Sequence, residues 1–335
     1  MQAAIYGLEG LELSDGERGF FRDAEPTGFI LFRRNSQTAD QLLRLTDSLR
    51  DLTGRDDLPI LIDQEGGRVA RMRPPEWPAF PAAEKFANLY RAAPSSAIEA
   101  ARANARALGL ILRSAGINVN ALPLLDVRQE GASDIIGDRA LGSEPMQVSA
   151  LGRAVLDGMA AAGVVGIVKH MPGHGRALVD SHHQLPVVTA TEEELQVDLE
   201  PFERLSLAPM GMMAHVVYTV WDAERPASQS PIVIEQIIRE RLGFDGFLMS
   251  DDSNMNALTG SPAERAAACV AAGCDVALPC SGVLADNIAI AEQLGDITPE
   301  GGERLARAMA GTRIEAGDLD FATEVAKRDT LLALA

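Results

Sequence analysis

The segment "VVGIVKH" (164–170) contains only apolar residues and one glycine until it ends in Lys169 and His170. A strand that is buried on both faces has such a continuous apolar run, whereas a strand with one face in water alternates apolar and polar residues. Seven further stretches have the same character, at 3–9, 28–32, 59–65, 117–127, 211–218, 246–252 and 274–280. The eight runs predict a parallel sheet that is covered on both faces.

Amphipathic segments typical of helices lie between these runs. The segment 38–53 begins near Thr38, which is a suitable capping residue for a helix. Similar patterns occur at 96–115, 144–162, 191–205, 232–242 and 262–272, and the stretch 298–320 predicts closing helices. Eight strands alternating with helices predict an α/β fold, a (β/α)₈ TIM-like barrel, with an open doubly wound sheet as the alternative. No linker rich in Pro, Ser or Gly divides the chain, so we predict a single domain over residues 1–335.

The composition limits the possible partners. The 335 residues are 47% apolar and carry a formal net charge of −18. This charge opposes binding to nucleic acid or to an anionic membrane surface, so we expect a small-molecule substrate and neither of those partners. We also expect a monomer. No secretory signal or membrane-spanning apolar run is visible, and three sparse cysteines give no disulfide framework. We therefore expect buried thiols and a cytoplasmic protein.

Polar residues occur at the ends of several predicted strands. Active sites of barrel enzymes lie at the C-terminal ends of the strands, so these side chains are expected to converge. A single Asp at a strand end is more often a cap for the next helix, but capping alone explains a set of five polar ends poorly. The residues are Asp63, Asp126, Lys169 with His170, His215, and Asp251 with Asp252.

The stretch "KHMPGHGRALVDSHH" (169–183) contains four of the five histidines of the chain. A metal site is one interpretation, with His170, His174, Asp180 and His182 as candidate ligands. It is disfavoured because Met-Pro-Gly separates His170 from His174, so the two cannot share one helical face as in zinc proteases. Proton transfer is better motivated, since Asp180 can hold one nitrogen of His182 while the other exchanges a proton with substrate.

Three more segments suggest chemistry. In "MSDDSNM" (249–255), a carboxylate at a strand end suits nucleophilic attack, and we expect only one of Asp251 and Asp252 to face the barrel mouth. Asp252 would then cap the next helix or bond within its loop. In "IDQEGGRVARM" (62–72), Asp63 can accept hydrogen bonds from vicinal sugar hydroxyls. In "GDRALG" (137–142), Arg139 can brace a carboxylate or an acyl group.

Together these motifs resemble those of bacterial β-N-acetylglucosaminidases of glycoside hydrolase family 3, of the NagZ type. The similarity is nearly end to end, and the combination "KHMPGHG…DSHH" is its most specific part. The motifs that carry it are "GFILFRRN" (28–35), "IDQEGGRVARM", "LLDV" (124–127), "GDRALG", "VKHMPGHG" (168–175), "DSHHQLP" (180–186), "MMAHVVY" (212–218), "PASQS" (226–230), "LGFDGFLMSDDSNM" (242–255) and "AGCDVAL" (272–278).

The resemblance implies a role for each matching residue. Asp251 would be the nucleophile, His182 the general acid/base and Asp180 its partner. The sugar-binding residues would be Asp63, Arg71, Arg139, Lys169 and His170. The implied reaction is the retaining hydrolysis of terminal β-linked N-acetylglucosamine from muropeptides during peptidoglycan recycling in the cytoplasm, without cofactor or metal ion. Phosphorolysis at the same site and a non-catalytic sugar-binding protein stay open as alternatives.

Overall fold

The computed structural model describes residues 1–179, 181, 184–313 and 317–334. The strands are β1 (Gln2–Gly7), β2 (Pro26–Leu31), β3 (Ile60–Ile62), β4 (Val119–Asn120), β5 (Val165–Met171), β6 (Val187–Val188), β7 (Met210–Met213), β8 (Val217–Tyr218), β9 (Phe247–Asp252) and β10 (Val276–Leu278). Eight of them are parallel and close into a barrel in the order β1-β2-β3-β4-β5-β7-β9-β10, while β6 and β8 form a separate pair. The predicted barrel is confirmed, and the open doubly wound sheet is wrong.

Two predicted strands differ most from the expectation. The run 117–127 forms only the two-residue β4, because Pro123 has no N–H for a ladder and the chain regains contact with β5 through one bridge, Leu124 to Lys169. The run 211–218 is divided into β7 and β8. Its second half leaves the barrel because it pairs with β6, which precedes α6 (Glu192–Arg204).

Helices surround the barrel. Apart from α6, they are α1 (Asp15–Ala24), α2 (Ala39–Thr53), α3 (Ala83–Ala92), α4 (Pro94–Ser114), α5 (Pro145–Ala161), α7 (Pro262–Ala271), α8 (Leu284–Ala291), α9 (Pro299–Met309) and α10 (Phe321–Leu332), with a π-helix at Val233–Arg241. The six predicted helical segments are confirmed, although the predicted segment 232–242 is the π-helix. Thr38 caps α2 as expected, by accepting from the backbone N–H of Gln41. Four helices, α1, α3, α8 and α10, were not predicted, although α1 begins at a capping box of Ser14 and Glu17.

The core has two layers. Alternate strand residues point inward, as Leu61 does, or outward toward the helices, as Ile60 and Ile62 do. Leu305 and Met309 of α9 pack against the inward-facing residues. Arg304 of α9 bonds Asp245 and Asp275, which precede β9 and β10, so α9 covers the N-terminal end of the barrel. The opposite end is free to hold a ligand.

The bulk expectations have mixed outcomes. All three cysteines are buried and free, as predicted. Among the described residues, no helix is long and apolar enough to cross a membrane. The extent of the domain, 1–335, and the monomeric state stay predictions.

Candidate active site

A cavity of about 470 Å³ lies at the C-terminal end of the barrel. It is lined by all five predicted sugar-binding residues and by the predicted nucleophile, namely Asp63, Arg71, Arg139, Lys169, His170 and Asp251. Its remaining wall is largely apolar, with Ile30, Phe32, Met212, Met255, Leu278 and Cys280. The predicted convergence of strand ends is therefore seen for these residues.

Lys169 is at the centre of the charged wall. Its Nζ lies 3.0 Å from Asp63 Oδ1 and 2.7 Å from Glu65 Oε1, and its side chain is only 2% exposed. Burial opposes the charge on Lys169, but the two carboxylates outweigh it and raise the pKa of the ammonium group. The ammonium ion and both carboxylates therefore stay charged at neutral pH.

Two arginines extend this contact into a network of five charged groups. Arg71 donates to Asp63 Oδ2 at 3.0 Å. Arg139 makes a two-pronged contact with Glu65, with both N–O distances at 2.8 Å. Burial alone would raise the pKa of Asp63, but Lys169 and Arg71 hold it well below its usual range. The expectation that Arg139 braces a carboxylate is met, and the carboxylate belongs to Glu65.

Glu65 lines the cavity but was not among the predicted site residues. It lies two positions after Asp63 in "IDQEGG". Both residues follow β3 and line the cavity at the barrel mouth. Its side chain is 4% exposed and bonds two cations. The available sequence signal was a second carboxylate, two residues after Asp63 and directly before a Gly-Gly turn.

His170 is held by Asp126, whose side chain is fully buried. Asp126 Oδ2 lies 2.7 Å from His170 Nδ1, and its Oδ1 accepts from the backbone N–H groups of His170 and His174. Burial opposes ionisation, yet His170 and these hydrogen bonds lower the pKa of Asp126 to about 2. Asp126 is thus a buried anion that orients the imidazole of His170 toward the cavity.

Asp251 and Asp252 both line the cavity, so the expectation that only one would face it is wrong. The register of β9 and β10 shifts by one residue here, since Met249 pairs with Val276 but Asp252 with Leu278. Such a bulge turns two successive residues toward one side. The prediction that Asp252 bonds within its loop is confirmed, because its Oδ1 accepts from the backbone of Asn254 at 2.8 Å.

The two carboxyl groups differ in their ionisation. Burial alone would raise the pKa of Asp251, but His170, His215 and the backbone N–H of Asp252 outweigh it and lower that pKa. Burial raises the pKa of Asp252 to about 6, and the neighbouring charge of Asp251 adds to this. Asp251 is therefore the carboxylate that stays ionised over the wider pH range.

His215 supports the end of β9 and does not line the cavity. Its Nδ1 lies 2.7 Å from Ser228 Oγ and its Nε2 2.9 Å from the backbone oxygen of Asp252. Burial lowers its pKa. The sequence placed His215 and Asp126 among the converging polar ends, and both instead hold residues that reach the cavity.

The predicted general acid/base His182 and its partner Asp180 lie outside the described residues. Ser181, between them, lines the cavity, and its Oγ lies 3.3 Å from His174 Nε2. Two of the four candidate metal ligands fall in the same gap. Within the described ranges, no group of three or more His, Cys, Asp and Glu residues could hold a metal ion.

A larger cavity, of about 720 Å³, lies at the opposite end of the barrel. Two of its arginines bond backbone carbonyls near helix ends, Arg50 with Gly116 at 2.6 Å and Arg113 with Thr312 at 2.7 Å. Cations at the C-terminal ends of helices stabilise the partial negative charge there. These two arginines thus stabilise helix ends, and the predicted site residues line the smaller cavity.

Comparison with known proteins agrees with this geometry. The model of the glycosyl hydrolase family 3 N terminal domain matches residues 8–307. A β-hexosaminidase of Methylococcus capsulatus is 38% identical over 318 residues, which are 93% of this chain and 92% of that protein. The structure of NagZ from Neisseria gonorrhoeae with N-trifluoroacetyl-D-glucosamine has a TM-score of 0.86 and 31% identity, and covers 100% of this chain and 98% of its own.

A second structure of the N. gonorrhoeae protein, in complex with a zinc ion, has a TM-score of 0.86 and 30% identity, and covers 99% of this chain and 98% of its own. The family model and the M. capsulatus relative each span most of the chain. The chain therefore belongs to glycosyl hydrolase family 3, and it is an enzyme of the β-hexosaminidase group of that family.

Proposed function

We propose that this enzyme is a retaining exo-β-N-acetylglucosaminidase that removes terminal β-linked N-acetylglucosamine from muropeptides derived from peptidoglycan. The observation that carries the proposal is the position of Asp251. Asp251 lies near the end of β9, and its carboxyl group, whose pKa is lowered, lines the same cavity as the network of five charged groups. An ionised carboxylate in such a site suits attack on an anomeric carbon.

The network suits the hydroxyl groups of one sugar. Its carboxylates can accept hydrogen bonds from vicinal hydroxyls, and Arg71, Lys169 and His170 can donate to their oxygens. We assign sugar binding to Asp63, Arg71, Arg139, Lys169 and His170. A cavity of about 470 Å³ has room for a terminal sugar with part of its aglycone, which supports exo action.

The proposed mechanism has two steps. His182, oriented by Asp180, protonates the leaving oxygen while Asp251 forms a bond to the anomeric carbon and the glycosidic bond breaks. Water then attacks the glycosyl-aspartate, with His182 taking its proton, and Asp251 leaves as a carboxylate. Each of the two displacements inverts the anomeric carbon, so its configuration is retained overall, and each group is returned to its starting protonation state.

We also propose that the substrate is a muropeptide and that the enzyme acts in the cytoplasm. N-Trifluoroacetyl-D-glucosamine in the N. gonorrhoeae relative supports an N-acylated glucosamine at the binding site. The three free, buried cysteines support a reducing compartment.

The test is covalent capture of Asp251. The enzyme is incubated with a 5-fluoro derivative of N-acetylglucosaminyl fluoride, digested, and analysed by mass spectrometry. We expect one added glycosyl group on the peptide that contains Asp251, and none in Asp251→Asn. A label on another carboxylate, or turnover without an intermediate, would contradict the proposal.

Assays with 4-nitrophenyl glycosides separate the alternatives. We expect release of 4-nitrophenol from the β-N-acetylglucosaminide and little release from the β-glucoside. EDTA should not lower the activity. Activity that chelation abolishes and zinc restores would favour the metal-dependent alternative. Formation of the sugar phosphate in phosphate buffer would favour phosphorolysis. Binding of the sugar without any reaction would favour a non-catalytic sugar-binding protein.

A further inference from the structure

Arg176 lies on the loop between β5 and β6 and contacts α6 on the outside of the barrel. Its Nε lies 2.5 Å from Asp198 Oδ2, and its NH2 group donates to the backbone oxygen of Glu194 at 2.8 Å. The side chain of Asp198 is 1% exposed and that of Arg176 22%. This ion pair is mostly buried, so its two charges interact more strongly than at the surface.

The backbone just before Arg176 is packed tightly. Gly173 has a φ of +132°, and a Cβ there would lie 2.9 Å from the Cβ of Asp198. The carbonyl of Gly173 accepts from the hydroxyl of Tyr218 at 2.6 Å. A Cβ on Gly175 would lie 1.9 Å from the backbone oxygen of Val127. The start of the loop is therefore closely packed, and among its described residues Arg176 is the side chain that donates hydrogen bonds to α6.

The loop is also fixed where it ends. Val187 and Val188 of β6 pair with Val217 and Tyr218 of β8. The predicted Asp180 and His182 lie between these two points of attachment, at 176 and at 187. Since a displacement of about 1 Å can reduce catalysis about 10²-fold, the attachment of the loop bears directly on proton transfer.

We propose that Arg176 is a positioning residue, which uses its ion pair with Asp198 to set the place of the loop that carries His182. The inference rests on the proposed function, because it assumes that His182 is the general acid/base. Removing Arg176 leaves the carboxylate of Asp198 buried without its cation, and the loop then loses the side-chain contacts with α6 that follow Gly175.

The burial of Asp198 makes the positive charge of Arg176 important. It raises the pKa of Asp198 to about 6, and Arg176 is the main group that acts in the other direction. The Oδ1 atom of Asp198 has no hydrogen-bond partner among the described residues. Arg176 is thus the side-chain cation that compensates this buried carboxylate.

The experiment uses the dependence of the rate on the leaving group. A displaced general acid slows a substrate with a poor leaving group, such as the methyl glycoside, more than one with a good leaving group, such as the 4-nitrophenyl glycoside. We expect Arg176→Ala to lower kcat/KM for the methyl glycoside at least tenfold more than for the 4-nitrophenyl glycoside. Arg176→Lys should restore part of the loss, and KM for the 4-nitrophenyl glycoside should change little.

Two further variants test the pair itself. Asp198→Asn removes the charge but keeps the shape, and the double variant should lose no more than Arg176→Ala alone. Arg241→Ala is the matched control, because Arg241 also holds α6, through Glu192 at 2.6 Å and Gln196 at 2.9 Å, but comes from the π-helix. It should leave the ratio of the two substrates unchanged. Circular dichroism at the assay temperature checks that each variant is folded.

His182→Ala shows how loss of the proposed general acid/base affects the two substrates. If it slows the methyl glycoside selectively and Arg176→Ala slows both substrates equally or neither, the positioning role is overturned while the proposed function stands. If His182→Ala shows no selectivity, the assignment of the acid/base fails, and the role of Arg176 fails with it. If the double variant lost as much kcat/KM as the two single variants together, Arg176 and Asp198 would not act as a pair.

Discussion

The ammonium group of Lys169 and the carboxylate of Asp63 are 3.0 Å apart, although 106 positions separate the residues in the chain. Asp63 follows β3 and Lys169 is in β5, with β4 between them in the barrel. The contact therefore reaches across one intervening strand at the barrel mouth. Because Glu65 shares the same ammonium group, Lys169 neutralises part of the charge of two buried carboxylates.

Lys169→Met should be strongly destabilising. The methionine fills a similar volume but leaves Asp63 and Glu65 without their shared cation, and breaking a buried ion pair costs about 3–5 kcal/mol. We expect a loss of about 3 kcal/mol in the free energy of unfolding, measured by urea denaturation, and at least about 100-fold in kcat/KM. Lys327→Met is the control, since its pair with Glu99 is largely exposed and worth about 1 kcal/mol or less. Similar losses in both variants would contradict the central place of Lys169.

Asp251→Asn and Asp252→Asn should differ sharply in activity. Removing a nucleophile lowers kcat by about 10⁴-fold or more, because the covalent route is lost. Asparagine at 252 can still accept the hydrogen bond from Asn254, so its kcat should fall less than about tenfold. Steady-state rates with the 4-nitrophenyl glycoside decide between them. Equal losses would mean that the two neighbouring carboxyl groups share one task.

The pH dependence of stability should report Asp252. Its pKa is about 6 in the folded protein and about 4 in the unfolded chain, so between these values the unfolded chain has lost a proton that the folded protein keeps. Stability from this group is therefore fully present below pH ~4 and lost as the pH rises through ~6, by on the order of 2 kcal/mol. Denaturation of wild type and Asp252→Asn at several pH values should show a smaller decline in the variant over that window. Parallel curves would mean that burial does not raise this pKa.

Gly175→Ala should disrupt the loop after β5. The added methyl group would lie 1.9 Å from the backbone oxygen of Val127, so the backbone has to move. We expect a loss of about 1–3 kcal/mol in thermal or urea unfolding, with a fall in kcat. Gly302→Ala in α9 is the control, because a Cβ there meets nothing within 4 Å and alanine favours helix. A variant as stable and active as wild type would show that the loop adapts easily.

The alternation of apolar runs with amphipathic segments was enough to predict the barrel, because strands buried on both faces are marked by unbroken apolar runs. The same signal overestimated the run 211–218, where Val217 and Tyr218 are as apolar as barrel residues but pair with β6. Apolar character reports burial and says nothing about which partner a strand takes. Only tertiary contacts decide that.

The site was predictable to a similar degree. Strand-end positions and family motifs pointed to Asp63, Lys169 and Asp251, and all three line one cavity. The role of Glu65 was missed because its partners, Lys169 and Arg139, are far from it in the chain. The register shift that brings Asp252 to the cavity depends on pairing between β9 and β10, which no local pattern encodes.

The barrel is completed by the pairing of Ala4 in β1 with Ala277 in β10, the first and last strands of the chain. Contacts between such distant segments form slowly, because a long loop has to be closed before they return any energy. The cavity draws residues from both sides of this seam, with Ile30 near one end of the chain and Cys280 near the other. Enzymatic activity is therefore a reporter of finished folding: a refolding chain should regain turnover only after its two ends have met.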